Sequence, residues 1–334
     1  MFEALKNITS LHGISGREQQ VLKYIQQQIT PFVDKVYSDT LGNLVAVKKG
    51  SGPRIMIMAN IDEIGLISTF IDENGFVRAA PVGKFEVAGM INKTVTFENG
   101  VRGIFALGDK VEIKNAGTSD CYIDIFAKDR REALNMIDIG MSAKFDSIAF
   151  ETENIVVSGA LNNRLGCYVL MEVIKSLKEF NGELYFVFTS QKEIGLRGAK
   201  VSGFEISPDL AIAVDVTRAA QTPDSSPACC RLGGGAAVKV RDAGVVCTAS
   251  VVDALESTAK ENNIKYQRDV LAKSDSDIAA IQTGGRGVKV GAVSIPVRYC
   301  HTSVECANKG DIDCAIRLLT AFIQKGIETN DEIL

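Results

Sequence analysis

Arg54-Ile55-Met56-Ile57-Met58-Ala59-Asn60-Ile61-Asp62-Glu63-Ile64-Gly65 is the stretch that decides the fold. Ile55 to Ala59 is a continuous apolar run without the alternation of a half-exposed strand, so it predicts a strand covered on both faces by helices. Asn60, Asp62 and Glu63 follow at its carboxyl end, which is where ligands bind in an open α/β sheet. Just upstream, Leu44 to Val47 reads as a second strand. Val21, Leu22, Tyr24, Ile25 and Ile29 place an apolar stripe on a helix, with Ser15-Gly16-Arg17-Glu18 expected as its capping box.

Downstream, from Gly65 to Ile148, the texture changes to short β-rich runs. Turn signals such as Glu73-Asn74-Gly75 and Glu98-Asn99-Gly100 separate them, and one short helix is expected around Arg130 to Ile137. The α/β alternation then resumes. Helices are expected at Arg164–Lys178, Val251–Asn262 and Ile312–Ile327, and strands at Leu184–Thr189, Leu210–Val214 and Val290–Ile295. The reading is a discontinuous α/β domain, residues 1–64 and 149–334, interrupted by a β-rich insertion at 65–148. Gly233-Gly234-Gly235 reads as a loop, since no strand-to-helix pattern supports a phosphate cradle.

The 334 residues leave room for such an architecture. With 46 % hydrophobic and 23 % charged residues, disorder and fibrous structure are excluded. A net charge of -4 gives no basic excess for nucleic acid. No apolar run approaches the roughly 20 residues of a membrane span, and the start lacks a signal peptide's basic-then-apolar order, so a cytoplasmic protein without membrane partners is expected. The eight cysteines contain no Cys-x-x-Cys pair and read as buried reduced thiols.

Polar residues recur just beyond the strands: Asn60 to Glu63, Lys192-Glu193, Asp215 and His301, with Asn162-Asn163-Arg164 ahead of a helix. Singly, each has a plain explanation as a cap, a surface ion pair or a structural histidine. Their shared sheet edge is what makes them a candidate site, because Glu193, Asp215 and His301 offer oxygen and imidazole donors that suit zinc, cobalt or manganese.

The motifs have a family likeness. Met58-Ala59-Asn60-Ile61-Asp62-Glu63-Ile64-Gly65 resembles the His-x-Asp-Glu-Ile-Gly motif of the tetrahedral aminopeptidase family, which includes glutamyl aminopeptidases and proteins labelled cellulase M. Ala160-Leu161-Asn162-Asn163-Arg164 is similar to its Ala-Leu-Asp-Asp-Arg, and Gln191-Lys192-Glu193-Ile194-Gly195-Leu196-Arg197-Gly198-Ala199 to its Gln-Glu-Glu-Val-Gly-Leu-Arg-Gly-Ala. Ala213-Val214-Asp215-Val216-Thr217 and Ile295-Pro296-Val297-Arg298-Tyr299-Cys300-His301 complete the series with Gly13-Ile14-Ser15-Gly16-Arg17-Glu18. The resemblance implies a zinc-peptidase-like, three-layer α/β/α domain carrying a small barrel- or PDZ-like dimerisation domain. Dimers would assemble into a tetrahedral dodecamer.

It also implies two divalent metals, zinc or cobalt. The first-motif His and the Asp at Asp215 would hold one, and the Glu at Glu193 and the His at His301 the other. The Asp of Ala-Leu-Asp would bridge them, and the first Glu of Glu-Glu would be the general base. Asp62 matches the residue that orients the first-motif His. Here the ligand His is Asn60, the bridging Asp is Asn162 and the base Glu is Lys192.

An ammonium has no lone pair to take a proton from water, and amide oxygens are weak ligands for such metals. Asn162, Lys192, Glu193 and Asp215 sum to -1, against -4 for the family set. The expectation is a catalytically impaired or inactive member holding no metal, or one weakly bound. Lys192 is expected near the vacated metal position, paired with Glu193 or Asp215, rather than in solvent. An alternative is a working aminopeptidase with one metal on Glu193, His301 and Asn162. Glycan hydrolysis is a minor one, which no facing carboxylate pair supports. Candidate partners are peptides, further copies of the chain and an active paralogue.

Overall fold

The computed structural model describes residues 1–180, 182–223, 229–272 and 276–325. The chain opens with α1 (Phe2–Ser10) and α2 (Gln19–Ile29), then β1 (Lys35–Ser38), β2 (Leu44–Lys48) and β3 (Arg54–Asn60). Every residue of β3 after Arg54 is buried. At roughly 25 cal/mol per Å² of apolar surface removed from water, so apolar a strand is stable only between two covering layers. α1 was not foreseen, and the expected capping box is absent: α2 starts three residues later than that box would place it, with Glu18 in the cap position, and the Ser15 hydroxyl turns to Asp62 instead.

The insertion contributes β4 (Gly65–Ile71), β5 (Val77–Val82), β6 (Lys93–Phe97), β7 (Arg102–Leu107), β8 (Cys121–Asp124), α3 (Arg130–Met136) and β9 (Ser142–Phe145). Its strands close into a barrel in the order β4-β5-β8-β7-β6-β9 around a core of its own, which includes Leu66, Val95, Phe97, Phe105 and Ile123. Gly75 and Gly100, the turn glycines read from sequence, adopt φ +88° and +92°, where a Cβ would be strained.

The chain then returns through β10 (Phe150–Glu151), β11 (Ile155–Ser158), α4 (Leu161–Ser176), β12 (Glu183–Thr189), α5 (Arg197–Ile206), β13 (Leu210–Arg218) and β14 (Ala236–Arg241). It finishes with α6 (Ala249–Glu261), β15 (Tyr266–Val270), α7 (Ile278–Gln282), β16 (Lys289–Arg298), β17 (Glu305–Asn308) and α8 (Lys309–Lys325). The main sheet runs β1-β2-β12-β3-β13-β16-β17-β11-β10, with β14 and β15 branching from β16. Its centre, β12-β3-β13-β16, is parallel, so four carboxyl ends reach one edge. α4 packs with α1, α2 and α8, whereas α5 packs with α7 against β12, β13 and β16, which gives the sheet its helix layers.

α5, β14, β15, α7 and β17 escaped the sequence reading, and the expected helix end at Ile327 lies outside the described residues. Gly233 and Gly235 form a loop whose N–H groups donate to the Asp311 carboxylate at the start of α8. The cysteines are free thiols, but Cys229 is exposed and Cys300 and Cys314 are only partly covered, which corrects the expectation that all are buried.

Candidate active site

The carboxyl edge gathers the expected residues. Thr189 at the end of β12 lies beside Asn60 at the end of β3, and β13 carries Asp215 one strand further on. The loop after β12 is shaped by Gln191 and Leu196 in left-handed conformations, which swing Lys192 and Glu193 back over the sheet. The Glu18 carboxylate accepts from the Gln191 N–H at 3.1 Å, and the Asp62 carboxylate from the Glu193 N–H at 2.9 Å.

Lys192 does not reach solvent. Its Nζ donates to both carboxylate oxygens of Asp215, at 2.8 and 3.1 Å, and the two side chains are only 9 % and 10 % exposed. Of the two partners expected, Asp215 is the one it takes. Burial alone would lower the Lys192 pKa, but Asp215, Glu193 and Asp277 outweigh it and hold the ammonium well above its ordinary value. Burial pushes Glu193 up, with Asp62 adding to the shift and Lys192 and His301 opposing it.

Asp62 is fully buried and serves as the hub of one half of the site. It accepts from the Ser15 hydroxyl at 2.6 Å, from the Glu193 N–H, and from Asn60 Nδ2 at 3.0 Å. Asp62 thus holds the Asn60 amide, whose Oδ1 is buried with no donor among the described residues.

In the other half, Glu305 accepts from the backbone N–H of Asn162 and of His301, each at 2.8 Å. The His301 Nδ1 lies 2.7 Å from the Lys84 carbonyl. A carbonyl only accepts, so Nδ1 carries a proton and Nε2 faces away from that contact. Lys84 belongs to the insertion, and a Cβ on neighbouring Gly83 would meet Glu193 at 3.1 Å, so the barrel closes over the site. Asn162 Oδ1 is buried without a partner among the described residues.

Asn162 is not the helix cap that its position suggests. Ala160 occupies that position in a left-handed conformation, and Asn162 and Asn163 interrupt the helical geometry. Asn163 Nδ2 instead donates to the Val214 carbonyl at 2.8 Å, tying α4 to β13. Arg164, fully buried, donates to the Ile8 carbonyl at 3.0 Å and pairs with Glu63 at 3.3 Å.

Two further carboxyls at this edge were missed. Asp277 heads α7, accepts from the Thr189 hydroxyl and has Oδ1 unpartnered among the described residues; burial pushes it up to about 7, against the pull of Lys192. Glu305 is pushed by burial up to about 8, against its two backbone donors. Only the position of Glu305 four residues beyond His301 hints at its role. Asp277 follows no strand and gives no sequence signal. Among the described residues, no group of three or more His, Cys, Asp or Glu side chains is placed to hold a metal ion.

A parallel-centred α/β sheet with ionisable groups at its carboxyl edge, and a small barrel inserted behind its first central strand, defines the metallopeptidase class of scaffold. The family model of the M42 glutamyl aminopeptidases matches residues 42–318. The chain therefore belongs to the M42 aminopeptidase family, whose peptidases use divalent metals. A relative from Acetivibrio thermocellus, named "Putative aminopeptidase", is 47 % identical over 97 % of this chain and 98 % of its own. The solved aminopeptidase APDkam598 of Desulfurococcus kamchatkensis superposes with a TM-score of 0.93 at 34 % identity, covering 97 % of this chain and 94 % of that one. The Pyrococcus horikoshii TET1 peptidase, which can assemble into a tetrahedron or a large octahedral shell, gives 0.86 at 30 % identity, covering 96 % and 98 %. No described helix is long and apolar enough to cross a membrane.

Proposed function

We propose that this chain is a non-hydrolytic member of the M42 family, a metal-free binding and assembly subunit whose metal edge is closed by an internal ion pair. The observation that carries this reading is the Lys192 ammonium seated on both oxygens of Asp215. A divalent ion on Asp215 would have to displace a buried cation already hydrogen-bonded there, leaving that cation facing the metal. Asn60 has one amide group engaged with Asp62, and Asn162 offers a neutral oxygen where the family has a bridging carboxylate. On this reading the residues do not fit a two-metal centre, and Lys192 in place of the base Glu leaves no group there to take a proton from water.

The scaffold retains what assembly requires. Exposed apolar residues on or beside the barrel, Phe70, Phe126, Ile139 and Ile148, suit self-association into dimers and larger shells of the kind that the Pyrococcus horikoshii relative forms. Peptides remain the candidate ligands, and an active family member a candidate co-assembly partner.

The test is elemental analysis after saturation with zinc or cobalt and desalting, run beside an aminopeptidase assay on unblocked peptides. Well under one equivalent and no release of N-terminal residues is expected. About two equivalents with turnover would overturn the reading. One observation favours a second reading, a single-metal enzyme: a backbone carbonyl holding the Nδ1–H of His301 is the kind of contact that orients a metal-ligating imidazole. One tightly held equivalent with turnover abolished by a chelator would establish it.

A further inference from the structure

Residues 10–18, from the end of α1 to the start of α2, touch two parts of the molecule at once. On the site side, Ser15 donates to Asp62 at 2.6 Å, and Glu18 accepts from the Gln191 N–H at the root of the Lys192 loop. On the barrel side, His12 Nε2 lies 2.8 Å from the Ser142 hydroxyl at the start of β9, and Lys144 Nζ donates to the Ser10 carbonyl. Ser142 in turn donates to Glu98, just beyond β6, at 2.7 Å, and Arg17 pairs with the same carboxylate at 3.3 Å. The one segment therefore holds the barrel through His12 and Arg17 and braces the candidate site through Ser15 and Glu18.

His12 is only 7 % exposed and Ser142 is fully buried. Burial above all, then Lys144, with Arg164 and Arg17 adding to it and Glu98 opposing it, holds the imidazole down at about 4, so at neutral pH the ring carries one proton. The hydrogen bonds say where. The Glu98 carboxylate, ion-paired with Arg17, only accepts, so Ser142 spends its single proton there and its oxygen accepts from His12 Nε2–H. Nδ1 is left with its lone pair, buried with no partner among the described residues. A second proton at Nδ1 would find no acceptor. It would also face Lys144 of β9, Arg164 of α4 and Arg17 against Glu98 alone, since Glu63 is already paired with Arg164.

We infer that residues 10–18 form a proton-operated clasp: with His12 neutral they hold the barrel over the candidate site, and a proton on the buried Nδ1 releases the barrel side. Release frees Ser142 and Glu98 from the segment and slackens the braces on Asp62 and Gln191, so acid opens the seam before it unfolds the chain. The inference goes beyond the functional reading and holds whether or not the site takes a metal.

Hydrogen exchange of the full chain at pH 7 and pH 5, expressed as protection relative to the intrinsic rate at each pH, tests the clasp. Residues 11–18 are the reporter and residues 55–59 of β3 the control. A ring held at about 4 in the closed seam and returned to its ordinary 6.5 on release makes the opening equilibrium rise roughly 20-fold between those pH values. Residues 11–18 should lose protection by that factor, while β3, which exchanges only on global unfolding, should stay protected throughout. His12→Gln keeps a donor near the position of Nε2 and removes the titration, so its protection should not change with pH.

If that variant does not fold, the wild-type ring itself decides. The chain has two histidines, so each imidazole can be followed by proton NMR, and His12 should still be neutral at pH 5.5. Wild-type protection of residues 11–18 that is independent of pH would overturn the inference, as would a loss undiminished in His12→Gln or shared equally by β3. So would a His12 ring that titrates near 6.5 while residues 11–18 stay protected.

Discussion

Replacing Lys192 by Met tests the ion pair on which the functional reading depends. The substitution keeps most of the side chain's length and apolar stem but removes the ammonium, leaving Asp215 facing Glu193 and Asp277 with no intervening cation. Both members of the pair are about nine-tenths buried, so the surface-pair value of 0.2–1 kcal/mol does not apply. Breaking a buried pair by removing one partner costs about 3–5 kcal/mol. That corresponds to a rise of roughly 10²–10³ or more in the unfolding equilibrium constant, since each 1.4 kcal/mol is tenfold.

The pH dependence sharpens the test. Lys192 has a raised pKa in the folded state, so its contribution is complete below the unfolded value of about 10.4 and is lost only as pH climbs through the folded one. The wild-type pair is therefore constant across neutral pH. In the variant, the uncompensated carboxylates can be relieved only by taking up protons, so the deficit should shrink on going from pH 8 to pH 5.5. Urea denaturation of both proteins at those two pH values is the assay. A loss below about 1 kcal/mol at pH 8, or a deficit independent of pH, would refute the reasoning and return Lys192 to the status of an ordinary surface lysine.

Two further outcomes follow from groups around the site. Arg164→Met should cost about 3–5 kcal/mol by stranding Glu63 and the Ile8 carbonyl in the interior, measurable by the same denaturation; a loss under about 1 kcal/mol would mean that water reaches Glu63. Between pH 6.5 and 8 stability should fall as pH rises. The buried carboxyls of Asp277, raised to about 7, and Glu305, raised to about 8, hold protons in the fold that the unfolded chain has released. His12, lowered by burial to about 4, acts the other way but only below about 6.5, so it does not mask the trend. Glu305→Gln should flatten the slope, and rising stability across that window in the wild type would contradict it.

The legible part of this molecule is the part written locally. The unbroken apolar run of Ile55 to Ala59 could only be a strand buried on both faces, and the rule that ligands bind beyond carboxyl ends then drew Asn60, Lys192, Glu193 and Asp215 to one edge. The turn glycines Gly75 and Gly100 announced a separate β-rich segment, although its closure into a barrel depends on pairings between strands far apart in sequence. The ordered motifs identified the family, and the three departures from them at Asn60, Asn162 and Lys192 were visible without coordinates.

The remainder depended on how distant segments meet. The expected capping box failed because Ser15 found a buried carboxylate, Asp62, 47 positions away, and that bond outweighs a local cap. Glu305 and Asp277 carry no periodic or motif signal, because their roles come from being buried beside backbone donors and other acids. By itself the sequence determined the layer architecture, the family and the residues substituted at the edge, since strand periodicity and residue type are local properties. Only the tertiary structure decided that Lys192 takes Asp215 rather than Glu193 or solvent, because that choice depends on a loop held by two left-handed residues and on the low-dielectric surroundings that make a buried charge take a partner.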